Sequence, residues 1–191
     1  MKNRFSQFSD KELVSLLRGG RKESEHAFGE IYDRYAMRVN AYCRTILNDR
    51  DLAEDIFQET FMRFFQKVRD DYQTGSIIGY LITIARNLCL NAKRDRKSTV
   101  PIDDFDFPQT ETQSYEDKEL MDLMIMSIDL LDFDTKEVLA LRVFNDLPYN
   151  EIAEILNITA ARARYLFFTA KDKLKNILSP YLKDNLKKID R

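Results

Sequence analysis

The 191-residue chain has few of the residues that build metal sites and disulfide frameworks: one histidine, His26, and two cysteines, Cys43 and Cys89. A single histidine excludes a zinc site with several histidine ligands and a di-iron bundle with two Glu-x-x-His motifs. Each cysteine lies alone in an apolar periodic stretch, so we expect both thiols to be small core residues in a reducing compartment. We therefore predict no metal and no cofactor.

The sequence also lacks the signals of enzymes, membrane spans and exported proteins. It has no glycine-rich phosphate loop, no nucleophile elbow and no Cys-x-x-Cys motif. No apolar run approaches the roughly 20 residues that cross a bilayer, and the polar N-terminal residues do not resemble a signal peptide. We expect a cytoplasmic protein with no direct membrane insertion and no catalytic activity.

Glycine and proline are scarce, with 5 and 4 residues, and apolar residues recur at helical spacing. This pattern predicts an all-α fold. A first short helix lies between Ser9 and Gly19, and the later predicted helices cover residues 23–47, 51–68, 77–97, 116–131, 134–144, 150–156 and 159–178. Asp134 and Glu137 have the spacing of a capping box at the start of one helix, and we expect Pro180 to separate a further short helix from the last one.

The charge pattern divides the chain into two small helical domains joined by an acidic linker. Residues 101–134 carry 1 basic and 11 acidic side chains, whereas the net charge of the segment before them and of the segment after them is +4 each. Two prolines interrupt the helical period between residues 98 and 115. We predict domains at 1–97 and 116–191, with the linker at 98–115.

The predicted helix at 51–68 is acidic on the side opposite its apolar residues. This side is formed by Asp51, Glu54, Asp55, Gln58 and Glu59. It can be a solvated helix face or a docking face for a basic partner. Carboxylates paired for acid–base catalysis would need a cleft and perturbed surroundings, which an exposed helix face does not supply.

The predicted helix at 77–97 carries polar groups suited to phosphates and bases on the side away from its apolar residues. A basic stripe and a neighbouring mixed strip together contain Tyr80, Arg86, Asn87, Asn91, Lys93, Arg94 and Lys97. An aromatic ring can stack on an unpaired base, and amides can bind the base edge. The alternative is a solvated helix end whose cations complement the helix dipole.

A short helix, a tight turn at Asn157–Ile158 and a longer helix capped by Thr159 have the organisation of a helix-turn-helix. Such units bind DNA or protein. The candidate DNA-contacting residues are Thr159, Arg162, Arg164, Tyr165, Thr169, Lys171 and Lys173. The face opposite the expected core is less basic than is usual for a recognition helix, because it also presents Ala161, Phe168 and Asp172.

The order of these segments is more specific than any one of them. Four runs, Ala27–Tyr35, Asp51–Phe61, Gly79–Asn87 and Tyr149–Thr159, follow one another along the chain. Their sequences resemble the sigma-70 family of bacterial RNA polymerase sigma factors, in particular its small two-domain extracytoplasmic-function group. The resemblance covers about residues 9–178.

This resemblance implies a role for each surface. The helix matching residues 51–68 docks on the clamp helices of the polymerase largest subunit, and an acidic face suits that contact. The loop at 69–76 and the helix at 77–97 match the part that opens the −10 element and holds a flipped base, with Tyr80 where the family usually has tryptophan. The acidic linker would lie in the nucleic-acid channel of the polymerase, and the residues from Thr159 to Lys173 would bind the −35 element.

The resemblance also implies partners: core RNA polymerase, promoter DNA and an anti-sigma factor, which in this family is often anchored in a membrane. One departure affects the −35 contact, because Leu166 and Thr169 stand where basic residues are common and Tyr165 where a small polar residue is common. A sigma-like interaction module, which binds an anti-sigma factor or polymerase without reading DNA, therefore stays open as an alternative. A helix-turn-helix repressor that acts as a dimer on duplex DNA is a separate alternative.

Overall fold

The computed structural model describes residues 5–68, 76–95 and 115–189, with side chains of the last range described for 122–181. Within these ranges there are eight α-helices and no strand, so the predicted all-α class is confirmed. The chain forms two compact units, Met1–Pro101 and Ile102–Arg191. The predicted linker at 98–115 lies outside the described residues, apart from Tyr115, which begins a helix.

The first unit contains four helices: α1 Asp10–Leu17, α2 Arg21–Leu47, α3 Arg50–Val68 and α4 Ile77–Asp95. The long helix α2 packs against each of the other three, and α3 packs against α4. The core side chains recur at helical spacing, as predicted, and include Leu13, Ile31, Val39, Tyr42, Phe64, Leu81 and Ile82. Because α3 and α4 bury their apolar stripes in this core, their polar stripes face outward.

The two cysteines meet in the first unit. Cys43 of α2 and Cys89 of α4 are both free thiols with no exposed surface. Hydrogen bonding to Cys89 and burial raise the pKa of the Cys43 thiol well above its usual value. The raised pKa favours the protonated thiol. The complete burial of both side chains confirms the prediction that these residues are small core groups.

Residues 5–9, which precede α1, are fixed to α2 by Arg34. The guanidinium donates to the Glu30 carboxylate and to the Phe8 carbonyl, both at 2.8 Å, and to the Ser6 carbonyl at 3.2 Å. The neighbouring Tyr35 hydroxyl donates to Asp10, the first residue of α1, at 2.7 Å. The Glu30 side chain is only 8% exposed, so the ion pair with Arg34 compensates a charge that is largely removed from water.

The second unit also contains four helices: α5 Tyr115–Asp129, α6 Phe133–Val143, α7 Tyr149–Leu156 and α8 Ala160–Ile189. Helix α8 packs against the other three. One buried cluster joins Leu131, Leu139 and Ala170, with Ile128, Phe167 and Leu174 packed against it.

Pro180 lies inside α8, so the prediction that it separates two helices is wrong. Proline removes one helical hydrogen bond, but the leucines and lysines that follow are strong helix formers and the helix continues.

The start of α6 differs from the predicted capping box. Asp132, not Asp134, is the cap, and its side chain accepts a hydrogen bond from the Thr135 amide at 3.1 Å. With Asp132 as the cap, the third helical position is Thr135, so Glu137 lies two residues beyond the place of a capping-box partner, and its side chain is buried. Asp132 also pairs with Lys173 of α8. The ion pair with Lys173, together with the hydrogen bonds from Thr135, lowers the pKa of Asp132 to about 2.

The Arg34 network predicts a large loss of stability when its cation is removed. We expect Arg34→Met to lower the free energy of unfolding by about 3 kcal/mol, because it removes the guanidinium that pairs with the buried Glu30 carboxylate and that binds the Ser6 and Phe8 carbonyls. The matched control is Arg21→Met. This control removes the ion pair between Arg21 and Glu25, which are four residues apart on the helix like Glu30 and Arg34 but are 92% and 59% exposed. It should therefore leave the urea midpoint unchanged. Equal midpoint shifts in the two variants would contradict the buried network.

The Asp132 cap predicts a pH-dependent contribution to stability. The pKa of Asp132 in the folded chain is below its usual value near 3.9, so the charged form stabilises the fold above about pH 4 and this contribution is lost as the pH falls towards 2. Asp132→Asn should therefore cost about 1 kcal/mol at pH 6, a figure limited by the half-exposed side chain, and much less at pH 2.5. Urea titrations followed by circular dichroism measure both values, with Asp134→Asn as the control. A cost independent of pH would contradict the ion pair.

Candidate protein- and nucleic-acid-binding surfaces

The acidic face of α3 points away from the core. It consists of Asp51, Glu54, Asp55, Gln58 and Glu59, of which Glu59 is half-buried and the others are exposed. The opposite side of the same helix is buried through residues such as Ile56, Phe57, Phe61 and Phe64. Packing of this apolar side fixes the rotation of α3, and the five predicted residues therefore lie on one outward surface.

The members of the acidic face differ in their partners. Glu54 accepts hydrogen bonds from Asn40 of α2 at 3.3 Å and from Gln58 at 3.2 Å. Glu59 accepts from Arg63, one turn further along, at 2.6 Å. The carboxylates of Asp51 and Asp55 have no hydrogen bond or ion pair with another described residue. Their two charges are the ones most available to a partner, which spacing alone does not reveal.

The polar strip of α4 is formed by Tyr80, Asn87, Asn91 and Arg94, which recur at three-, four- and seven-residue steps and so share one side of the helix. Asn87, Asn91 and Arg94 are exposed, and Tyr80 is half-buried. The Tyr80 ring meets the buried Phe64 ring edge to face, with centroids 6.1 Å apart. Packing against Phe64 holds the tyrosine at the N-terminal end of the strip.

The basic residues on and beside this strip differ in their surroundings. Lys93 donates to the carbonyl of Ile46, near the C-terminal end of α2, at 3.3 Å. Its charge therefore also stabilises the negative end of the α2 dipole. Arg94 lies 3.8 Å from Asp95 in a pair that is about three-quarters exposed and therefore weak. Arg86 is half-buried, and Lys97 lies outside the described residues.

In the second unit, α7 and the start of α8 have the predicted helix-turn-helix geometry. Asn157 ends α7 in the left-handed conformation, with φ 55°. The Ile158 amide then donates to the Ala153 carbonyl at 3.0 Å. Thr159 caps α8 by accepting a hydrogen bond from the Arg162 amide at 3.1 Å. The turn therefore presents the N-terminal half of α8 to solvent, as a recognition helix requires.

Cations lie against aromatic rings on and beside this helix. The Arg162 guanidinium is 5.3 Å from the centroid of Tyr165, and the Lys171 ammonium is 5.7 Å from that of Phe168. Arg164 reaches back to α7, where it lies 5.3 Å from the centroid of Tyr149. Contacts of this kind restrict arginine and lysine side chains that would otherwise adopt many rotamers.

Tyr149 and Phe168 were not among the predicted site residues. The three-residue spacing of Tyr165 and Phe168 is the signal that could have identified Phe168.

Two of the predicted residues on α8 have their polar groups engaged within the unit. Lys173 pairs with Asp132, which joins α8 to the start of α6. The Thr169 hydroxyl donates to the Tyr165 carbonyl within α8 at 3.0 Å. The surface open to a ligand is therefore concentrated nearer the N-terminus of α8, around Arg162, Arg164 and Tyr165.

Within the part of the chain that the structure describes, no group of three or more histidine, cysteine, aspartate or glutamate side chains could hold a metal ion. None of the helices in that part of the chain combines the length and the apolar character that crossing a membrane requires. The candidate surfaces are thus built from charged, amide and aromatic side chains on exposed helix faces.

Two family models match the chain. Residues 31–99 match Sigma-70 region 2, and residues 122–174 match Sigma-70, region 4. The first match contains the acidic face and the polar strip, and the second contains the helix-turn-helix. Together the matches cover nearly two thirds of the 191 residues.

Characterised relatives match over most of both chains. The ECF RNA polymerase sigma factor SigM of Bacillus subtilis is 29% identical over 159 residues, which are 81% of this chain and 97% of SigM. The RNA polymerase sigma factor CarQ of Myxococcus xanthus is 25% identical, over 83% of this chain and 92% of CarQ.

Solved structures share the fold at lower identity. The sigma factor RpoE of Bartonella quintana, crystallised with the anti-sigma factor NepR, matches with a TM-score of 0.68 at 19% identity, over 80% of this chain and 96% of RpoE. CnrH, solved in complex with the cytosolic domain of CnrY, also has a TM-score of 0.68, at 18% identity over 90% of this chain and 97% of CnrH. These likenesses support the helical fold.

Proposed function

Since the chain belongs to the sigma-70 family of RNA polymerase sigma factors, we propose that it directs transcription initiation by binding core polymerase through α3 and promoter DNA through α4 and α8. The observation that carries this proposal is the combination of surfaces in one chain. An outward acidic face and an aromatic-amide strip lie in the region 2 match, and a helix-turn-helix lies in the region 4 match. The first unit would bind polymerase and the −10 element, and the second unit the −35 element.

We assign polymerase docking to the acidic face. Its partner would be the basic clamp helices of the largest subunit, because complementary charge steers and orients association. Asp51 and Asp55 would make the principal contacts, since their carboxylates are exposed and unshared within the described residues. Glu54, Gln58 and Glu59 would make secondary contacts, because their side chains already have partners. Glu54 binds Asn40 and Gln58, and Glu59 binds Arg63.

We assign opening of the −10 element to α4 and to the loop at 69–76, of which only Ser76 is among the described residues. Extruding a base costs a few kcal/mol of stacking, which an aromatic side chain can offset by stacking on the base or on the pair left behind. Tyr80 is the ring at this position. Asn87 and Asn91 would bind base edges, while Arg86, Lys93, Arg94 and Lys97 would bind the backbone of the separated strand.

We assign −35 binding to the N-terminal half of α8 in the major groove. Arg162 and Arg164 supply cations, and Thr159 lies at the positive end of the helix dipole, which suits a phosphate. Lys171 and Thr169 lie further along, and Lys173 would contribute less because it already pairs with Asp132. Fewer phosphate contacts mean weaker binding and a smaller salt dependence, so most of the affinity for promoters would come from polymerase.

Three further parts of the proposal follow from the family. The acidic linker at 98–115, outside the described residues, would lie in the nucleic-acid channel of the polymerase. An anti-sigma factor would cover the surfaces that bind polymerase and DNA, and the co-crystal of RpoE with the anti-sigma factor NepR is an example of such a partner bound to a protein of this fold. The chain itself would act in the cytoplasm and would have no catalytic activity.

The docking assignment predicts that charge on α3 controls polymerase affinity. Asp51→Asn combined with Asp55→Asn should weaken binding to core polymerase at least tenfold at low salt, with a smaller effect at high salt, because exposed charges are screened. Fluorescence anisotropy of the labelled full chain measures both affinities. The control combines Asp33→Asn with Glu25→Gln, which removes two exposed carboxylates of α2. Equal affinities of the two double variants would contradict docking through α3.

The opening assignment predicts a specific defect when the ring at position 80 is lost. Tyr80→Ala should reduce permanganate reactivity of −10 thymines roughly tenfold, because base–aromatic stacking is lost, whereas Tyr80→Phe should retain it. A template with a pre-opened −10 bubble should restore transcription by Tyr80→Ala. If the bubble does not restore it, the residue serves folding or polymerase binding and the assignment is wrong.

A further inference from the structure

The recognition face of α8 presents two large aromatic rings to solvent. Tyr165 is 60% exposed and Phe168 is 52% exposed, although α8 buries its opposite side through Ala163, Leu166 and Ala170. Two exposed rings leave a substantial apolar area in water, which is unfavourable unless a ligand covers it. These rings are three residues apart and therefore lie on one side of the helix.

The two rings are bordered by cations. Arg162 and Lys171, on either side of the rings along α8, lie 5.3 Å from the centroid of Tyr165 and 5.7 Å from that of Phe168. Arg164 is also exposed, and Asp172 is the one exposed carboxylate between residues 160 and 175. An apolar centre with a positive border fits a ligand whose apolar groups lie between rows of negative charge.

The major groove of DNA has this arrangement. Its walls are phosphates, and the C5-methyl of thymine is the apolar group that base pairs present on its floor. Side chains three residues apart on a helix lie about 5–6 Å from each other, and neighbouring base pairs are about 3.4 Å apart. The two rings can therefore contact methyl groups on base pairs one or two steps apart.

We propose that Tyr165 and Phe168 are specificity-determining residues that bind thymine methyl groups in the upstream promoter element. This inference rests on the proposed function and adds the base feature that the recognition helix selects. It also gives a role to the low positive charge of α8, because apolar contacts with the base edge take the place of some of the usual contacts made by basic residues.

The positive border favours DNA over a protein partner. An apolar groove on a protein would fit the rings without the cations, whereas Arg162, Arg164 and Lys171 would each leave a charge to be compensated there. On DNA the same three charges meet phosphates. Binding of the rings by a protein is the alternative outcome that the experiment must separate.

The first experiment selects DNA with the full chain bound to core polymerase. A promoter library with a randomised upstream element should yield thymines at two positions one or two base pairs apart. Tyr165→Ser and Phe168→Ser should each lose the thymine preference at one of these positions. Tyr181→Ser, which changes another exposed tyrosine of α8, should leave the selected sequence unchanged. Absence of the paired thymines, or their retention in both variants, would overturn the inference.

The second experiment removes the methyl groups alone. Deoxyuridine has the same hydrogen-bonding groups as thymidine, so replacing each selected thymidine should weaken binding by the wild-type holoenzyme about fourfold per methyl. The Tyr165→Ser and Phe168→Ser holoenzymes should each be insensitive to one of the two replacements.

Three results would contradict the inference in different ways. If the holoenzyme selects a promoter and initiates transcription but is indifferent to deoxyuridine, the methyl contact is wrong and the proposed function stands. Variants that bind promoters normally but no longer bind an anti-sigma factor would assign the rings to a protein interface. If the chain binds polymerase but the holoenzyme selects no sequence, both the inference and the DNA-binding part of the proposed function fail.

Discussion

The buried side of α2 is the contact on which the first unit depends. It packs against α1, α3 and α4, and fully buried residues such as Ile31, Val39 and Tyr42 set the rotation of the surrounding helices. Once the apolar stripes of α3 and α4 are fixed in this core, the acidic face and the polar strip must point outward. The acidic face that we assign to polymerase and the polar strip that we assign to the −10 element are thus consequences of core packing, and both lie on helices fixed by that packing.

In the second unit, core packing likewise fixes which side of α8 is exposed. One side of α8 packs against α5, α6 and α7. The turn after α7 leaves the opposite side of the N-terminal half of α8 exposed. The Lys173–Asp132 pair anchors the middle of α8 to α6 and removes one cation from the binding surface. The exposed surface of this half of α8 is a mixture of arginines and aromatic rings. This mixture favours contacts with base edges in addition to electrostatic contacts with phosphates.

Most of the fold could be predicted because apolar periodicity is a local property of the sequence. Most helix bounds, the outward position of Asp51 and Asp55, and the cap at Thr159 follow from residues within a few turns of one another. Contacts between distant residues could not be predicted in this way. Asn40 meets Glu54 across α2 and α3, and Lys173 meets Asp132 from 41 residues away. The continuation of α8 through Pro180 was also missed, because the local penalty of proline was outweighed by the helix formers around it.

We conclude that this one chain converts core polymerase into a promoter-specific enzyme. The decisive measurement is run-off transcription with purified core polymerase on DNA from upstream of the gene for this chain, because factors of this family often act on their own promoters. We expect a transcript with one start site that appears only when the chain is added. A chain that binds core polymerase but yields no specific transcript, on this template or on DNA selected from a promoter library, would contradict the claim. It would instead favour the sigma-like interaction module.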